Sequence, residues 1–155
     1  MTTTVVELWA EAPLVRYIAQ SSARLVVVMT PAGQVLAQHG FPRAVDLMGV
    51  AAIGAAIMAS SGALADLVGE ASFGALFHAG RRHGIHLAAC RTGRGPLVVL
   101  TVFGRETSIG LVEFFFDEFA AALRAAAPAD QVRGPILAEN FKAELGRSLA
   151  SLFGR

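Results

Sequence analysis

The chain has 155 residues, of which 54% are hydrophobic and 16% charged, a composition that excludes an intrinsically disordered protein. Its formal net charge is only +1, so it lacks the basic excess that neutralises nucleic-acid phosphates, and we expect no nucleic-acid partner. Cys90 is the single cysteine, which excludes an intramolecular disulfide and a cysteine-based metal centre.

The first forty residues predict a helix followed by a β-hairpin. The N-terminus has no basic segment ahead of an apolar stretch, so we expect no signal peptide and a cytoplasmic location. Apolar residues at helical spacing over residues 8–20 predict a first helix that follows Pro13. A β-branched run at 24–30, a Pro-Ala-Gly turn and apolar alternation at 34–39 then predict the hairpin.

Residues 45–69 predict one long helix, rich in alanine and glycine, that ends at Gly69. Within it, residues 47–65 carry no charge over a length close to that of a membrane-spanning helix. Few side chains in that segment favour insertion strongly, and its glycines and serines dilute the gain. We therefore expect a tightly packed helix of a soluble protein and no membrane insertion.

The second half of the chain predicts three strands and a helix. Residues 76–82, 85–91 and 96–103 have the composition of strands, and the last is apolar almost throughout, so both of its faces should be covered. A helix at 108–127 follows, with Thr107 or Ser108 as its cap. Its apolar stripe consists of Val112, Phe115, Phe116, Phe119 and Leu123.

This order of elements predicts an α+β fold, in which a five-stranded antiparallel sheet is sandwiched between helices, with an extra C-terminal helix. We expect one domain at residues 1–128, followed at 129–155 by a linker and the C-terminal amphipathic helix. The apolar residues of that last helix recur every four positions, at Leu137, Phe141, Leu145, Leu149 and Phe153.

Several segments resemble the Roadblock/dynein light chain family, and more closely its bacterial MglB-type members. They are LADLVGEASF at 64–73, FHAG at 77–80, LVVLTVFGRETSIGLV at 97–112 and the hairpin VVVMTPAGQVLAQHG at 26–40. No single one is diagnostic, but their order and spacing together support the resemblance. The appended C-terminal helix favours the MglB-type branch over minimal Roadblock domains.

The resemblance implies a homodimer in which the third predicted strands pair edge to edge and the two long helices lie side by side; a tetramer is left open. An unpaired strand edge and a helix rich in alanine and glycine are compatible with such close approach. The resemblance further implies a regulator, with no catalytic residues of its own, that binds and activates a small Ras-like GTPase in cell polarity or motility. A non-activating Roadblock scaffold that assembles with other Roadblock or polarity proteins is the alternative.

The contact positions for the GTPase follow from ungapped matching to the family, backward from Gly69. The match places them at Ala59 and Ala63, with Ala56 and Ser60 on the same face of the long helix. The same resemblance implies a second contact stripe on the C-terminal helix, formed by Leu137, Phe141, Leu145 and Leu149. Two alternatives stay open: the long helix packs only within its own chain, and the terminal helix folds back over the phenylalanines.

The helix at 108–127 departs from the family pattern, because its outer face is acidic where the family's is usually basic. Glu113, Asp117 and Glu118 carry this charge, and it favours the scaffold alternative. The phenylalanines also cover more of the helix circumference than one sheet can bury, so we expect a second apolar partner, either the C-terminal helix or another dimer. They are Phe114, Phe115, Phe116 and Phe119.

One cluster of residue types that bind metals occurs, at His78, His83, His86 and Cys90. Its spacing fits no tetrahedral site, so we interpret these residues as ordinary packed or solvent-edge side chains and expect no metal. The sequence contains neither of the common glycine-rich phosphate-binding motifs and no recognisable nucleophile with its acid and base. We therefore expect no cofactor and no catalytic site.

Overall fold

The computed structural model describes residues 3–129 and 143–152 of the chain. The strands are β1 (Thr3–Val5), β2 (Leu25–Met29), β3 (Val35–His39), β4 (Leu76–Ala79), β5 (Gly84–Thr92) and β6 (Gly95–Phe103). The α-helices are α1 (Glu11–Ser21), α2 (Ala44–Val68) and α3 (Ile109–Ala126), with a 3-10 turn at Leu8–Ala10. Residues 143–152 are helical, and we call them the C-terminal helix.

All six strands form one antiparallel sheet in the order β1-β3-β2-β6-β5-β4. The apolar strand β6 lies inside the sheet between β2 and β5, and side chains on both of its faces are buried, as predicted. The short strands β1 and β4 form the two edges. The edge at β4 matters most for function, because this strand is largely exposed.

Helices cover both faces of the sheet, which confirms the predicted α+β sandwich. On one face, α1 and α3 pack together over a core that contains Leu14, Tyr17 and Leu123. The Tyr17 ring stacks on Phe119 with centroids 4.6 Å apart, and its hydroxyl lies 2.8 Å from the hydroxyl of Thr101 in the sheet. Burial raises the pKa of Tyr17 to about 12, so this contact stays neutral. The other face is covered by α2.

The long helix and the last sheet-covering helix begin and end close to their predicted positions. The αL conformation of Gly69, with φ of 77°, ends α2 because a residue without Cβ adopts it at little cost. Ser108 caps α3 by accepting a hydrogen bond from the backbone N–H of Leu111 at 3.3 Å. The predicted apolar stripe of α3 faces the sheet, and only Phe115 in it is partly exposed.

The structure differs from the prediction in three local features. The sheet has six strands instead of five, because Thr3–Val5 pairs with the outer edge of β3. Helix α1 begins at Glu11, ahead of Pro13; a proline fits the first turn, where the backbone N–H groups have no helical acceptor. Strand β4 ends at Ala79 and not at residue 82, since the N–H of Gly80 donates to the carbonyl of His83 at 2.8 Å and closes a tight turn.

Candidate partner-binding surface

Helix α2 lies on the sheet through small residues, which bring its backbone close to the strands. Its only buried residues are Ala51, Gly54, Ala55 and Ala65. A Cβ on Gly54 would lie 2.9 Å from the Cε of Met29 in β2. The close approach therefore depends on the absence of a side chain at this position. The rest of the 25-residue helix is exposed or half-buried.

The exposed part of α2 is strongly apolar. Its most hydrophobic 18-residue window has a mean hydropathy of 1.8, yet only 17% of that window is buried. By length and composition, α2 is the one helix of the described residues that could cross a membrane, a test that core helices of soluble proteins also pass. Its large exposed side chains are Val45, Met48, Ile53, Leu64, Leu67 and Val68. The described residues of a single copy leave this apolar area uncovered.

The four contact positions predicted on α2 form one exposed stripe on its outward face. They are Ala56, Ala59, Ser60 and Ala63. The hydroxyl of Ser60 donates to the carbonyl of Ala56 at 2.9 Å, so this polar group is satisfied within the helix. The stripe is therefore a flat surface of small side chains that another backbone can approach closely.

The second set of predicted contacts lies on the C-terminal helix and is only partly described. Leu145 is 47% exposed and Leu149 is 46% exposed, and they lie four residues apart on one face. Leu137 and Phe141 lie outside the described residues. Phe114 on α3 is 59% exposed, so the described part of the C-terminal helix does not cover it. The described residues therefore do not include the second apolar partner that the sequence predicts for the phenylalanines of α3.

The edge strand β4 lies beside the exposed apolar surface of α2. It pairs with β5 on one side, and no strand among the described residues pairs with its other side. The Phe77 ring is exposed on one flank and stacks against Phe103 of β6, with centroids 6.0 Å apart. Unpaired backbone groups at such an edge can accept a strand from another chain.

An apolar groove of about 180 Å³ runs between α2 and this half of the sheet. Ile53 and Ile57 line its helix side, and His78 and Ile85 line the β4 and β5 side. Ile53 is 63% exposed. Ile53 and Ile57 thus point toward the β4 edge, whereas the small-residue stripe points away from the sheet.

A second and larger cavity of about 510 Å³ lies where β4 begins, between α2, α3 and the segment 72–75; we call it the acidic cavity. Glu113 and Asp117, one turn apart on α3, line it together with the ring of Phe116. His86 of β5 also lines it, is 1% exposed, and has no hydrogen-bond partner for its Nδ1. Burial lowers the pKa of His86, and the two carboxylates partly oppose that shift.

The histidines and the cysteine do not converge on a metal site. His78 and His83 are exposed, and the ring of His83 lies 2.9 Å from the guanidinium of Arg24. Cys90 is buried, donates to the carbonyl of Ala120 at 3.7 Å, and has its thiol pKa raised by burial. Among the described residues, no three ligating side chains come together.

The acidic cavity is the feature that sequence reasoning missed. The sequence showed its two carboxylates, but only the tertiary structure brings His86 beside them. The shortness of β4 is the cause, because its first residue, Leu76, pairs with Leu87, and the sheet margin beyond that pair stays open. The spacing of Glu113 and Asp117 shows that they share a helix face, and nothing in the pattern identifies what that face meets.

Comparison with known proteins places this geometry in a family. A sequence model of the Roadblock/LC7 domain matches residues 10–101. The structure of MglB from Myxococcus xanthus superposes with a TM-score of 0.67 at 26% identity, covering 75% of this chain and 92% of that one. A gliding protein, MglB from Thermus thermophilus, gives 0.67 at 25% identity and covers 80% and 92%. No curated protein matches the sequence.

Two further solved structures extend the comparison. An MglB in a tetrameric arrangement gives a TM-score of 0.67 at 26% identity, covering 80% of this chain and 91% of that one. A Roadblock/LC7 domain from Streptomyces avermitilis gives 0.63 at 10% identity, covering 79% and 97%, which shows a shared fold alone. With more than half of its length matched by the family model, the chain belongs to the Roadblock/LC7 domain family and has an MglB-like Roadblock fold.

Proposed function

We propose that this protein is a homodimeric, cytoplasmic regulator that binds a small Ras-like GTPase and activates it, as in MglB-type Roadblock proteins. The observation that carries the proposal is the exposed apolar surface of α2 beside the open edge of β4. Covering such a surface with another protein removes apolar area from water and is therefore favourable. The MglB-like fold supports a GTPase as the partner.

The two exposed sides of α2 serve different contacts in this proposal. The large side chains near β4, such as Ile53, pack against the second copy when the β4 edges pair. The outward stripe, with Ala59 and Ala63 at its centre, then lies on top of the dimer and is free for the GTPase. Two copies thus create a docking platform that neither has alone.

The chain acts without catalytic residues of its own. Activation then follows from selection of the GTPase conformation in which the GTPase's own residues are in place. We assign residues 1–128 to the Roadblock domain and 129–155 to an accessory segment, whose stripe Leu137, Phe141, Leu145 and Leu149 makes a second contact with the partner. The exposed Phe114 on α3 supports assembly of dimers into tetramers, an arrangement that one MglB structure has.

Affinity capture from the source cell tests the proposal. GTP-loaded lysate is passed over the wild-type protein, over Ala63→Arg and over Ala125→Arg, which adds the same side chain to an exposed site of α3. We expect a Ras-like GTPase to bind the wild type and Ala125→Arg, and to be lost from Ala63→Arg while the dimer persists. Retention by Ala63→Arg would show that the outward stripe is not the contact.

The rate of GTP hydrolysis by the captured GTPase then separates activation from scaffolding. An activator raises this rate, whereas a non-activating Roadblock scaffold binds and leaves it unchanged. The acidic outer face of α3, which departs from the basic face usual in the family, is the observation that favours the scaffold. Capture of other Roadblock proteins without a GTPase would favour it further.

A further inference from the structure

The acidic cavity offers hydrogen-bond acceptors, and no cationic side chain lines it among the described residues. Glu113 and Asp117 take part in no ion pair among the described residues. The Nδ1 of His86 is buried without a partner, and a neutral imidazole protonated on Nε2 presents this atom as an acceptor. The ring of Phe116 forms an apolar wall, with its centroid 5.0 Å from that of the imidazole. A buried acceptor without a donor costs free energy, so the cavity is incomplete as it stands.

These groups together fit a guanidinium. Its five N–H donors can engage two carboxylates and an imidazole nitrogen at once, and its planar face can lie on an aromatic ring. An ammonium group satisfies the charge, but it has fewer donors and no planar face. The cavity therefore selects an arginine side chain above other cations.

The chain carries two such side chains at the opposite end of β4. Arg81 and Arg82 occupy the tight turn between Gly80 and His83, and both are exposed. They cannot reach the acidic cavity of their own chain easily, because the four residues of β4, about 13 Å of extended strand, separate the turn from it. Neither arginine takes part in an ion pair within the described part of the chain.

Dimerisation brings the two ends together. When two β4 strands pair antiparallel about a two-fold axis, the residues that follow Ala79 in one copy run beside the residues that precede Leu76 in the other. The segment 72–75, which forms one wall of the acidic cavity, therefore lies next to the turn of the second copy. Its arginines then stand at the mouth of the cavity, about one strand spacing away.

We propose that Arg81 or Arg82 of the second copy inserts into the acidic cavity and pairs with Glu113 and Asp117, while donating to the Nδ1 of His86. The inference rests on the proposed homodimer and adds to it a pair of symmetry-related ionic locks. The acidic charge of α3, which departs from the family pattern, then serves self-recognition and not the choice of a GTPase. Each lock also specifies the register of the edge-to-edge pairing.

A charge exchange between two variants of the full-length chain tests the proposal. Variant A carries Arg81→Glu and Arg82→Glu, and variant B carries Glu113→Arg and Asp117→Arg. Each variant alone places like charges at both locks, and we expect its dimer dissociation constant to rise at least about ten-fold. A mixture of A and B restores opposite charges at both locks, so heterodimers should form with nearly wild-type affinity. Sedimentation equilibrium, with one variant fluorescently labelled, measures the dissociation constants of variant A, of variant B and of their heterodimer.

The controls come from a pair of residues remote from the turn and the acidic cavity. Arg16→Glu and Glu118→Arg change charges of the same kind beside a different pocket, between α1 and α3, and should leave the dissociation constant unchanged. A or B dimerising as tightly as the wild type, or a mixture that forms no heterodimer, would overturn the ionic locks. A wild-type chain that is monomeric at all accessible concentrations would instead overturn the proposed homodimer.

Discussion

At the scale of single residues, Gly54 decides how closely α2 approaches the sheet. A valine there would push a branched side chain toward Met29 and Leu100, whose nearest atoms lie 2.9 and 3.2 Å from the position of a Cβ. We expect Gly54→Val to lower the free energy of unfolding by about 1–3 kcal/mol, as overpacking of a core does. Urea unfolding followed by circular dichroism measures this change.

Gly49 supplies the matched control for this prediction. It lies on the exposed side of the same helix, and a Cβ there meets no atom within 4 Å. Gly49→Ala should raise the free energy of unfolding by about 0.5–1 kcal/mol, because alanine restricts the unfolded chain and favours the helix. If both substitutions changed the free energy of unfolding in the same direction, packing against the sheet would not be the cause of the Gly54 effect.

His86 should make stability depend on pH. Burial lowers its pKa in the folded state below the usual value of about 6.5, so below that pH the unfolded chain binds more protons and stability falls. Glu113 and Asp117 face the ring and reduce the effect, and His39, whose pKa is also lowered by burial, adds to it. We expect less stability at pH 5.5 than at pH 7.5, and a smaller difference in His86→Leu. If the stability difference between the two pH values were the same in His86→Leu as in the wild type, groups other than His86 would cause it.

At the scale of secondary structure elements, α2 could be predicted from the sequence to within a residue at either end, because alanine-rich composition and Gly69 act locally. The strand Thr3–Val5 could not, since three residues carry too little pattern and depend on pairing with β3. The sequence also left open whether α2 packs only within its own chain. The exposure of Ile53 and Leu64 in the structure favours an interface.

The two flanks of α2 make this interpretation testable. Ile53 lines the groove on the β4 side, whereas Met48, which is exposed to a similar extent, lies on the opposite flank. Because Ile53 is exposed in one copy, Ile53→Asp should cost little monomer stability and raise the dimer dissociation constant at least about ten-fold. Met48→Asp should leave that constant near the wild-type value. Equal effects of the two changes would contradict a directional interface.

At the scale of the whole molecule, the sequence predicts the fold but does not predict the acidic cavity. The Roadblock order of elements follows from periodicity, turns and caps, which act within ten to twenty residues. The cavity instead depends on β4 pairing only with residues 84–87, so that the last five residues of β5 have no partner in β4, and on α3 passing that margin of the sheet. The contact residues predicted on α2 and on the C-terminal helix remain predictions for the same reason: a partner surface is defined by two molecules.

The proposed division between a Roadblock domain at residues 1–128 and a C-terminal segment can be tested by truncation. All described residues of the C-terminal helix are exposed, so these residues add no buried core. Pro128 and Ala129 instead lie beside Gly93, where a Cβ would come within 3.4 Å of both. A chain ending at Ala129 should therefore keep its melting temperature within about 2 °C, since 1 kcal/mol shifts Tm by about 2–4 °C at this size. It should still dimerise but bind the partner more weakly, as should full-length Leu145→Asp with Leu149→Asp. A large fall in Tm on truncation would mean that the helix packs on its own domain, and the loss of partner affinity could then not be assigned to direct contact.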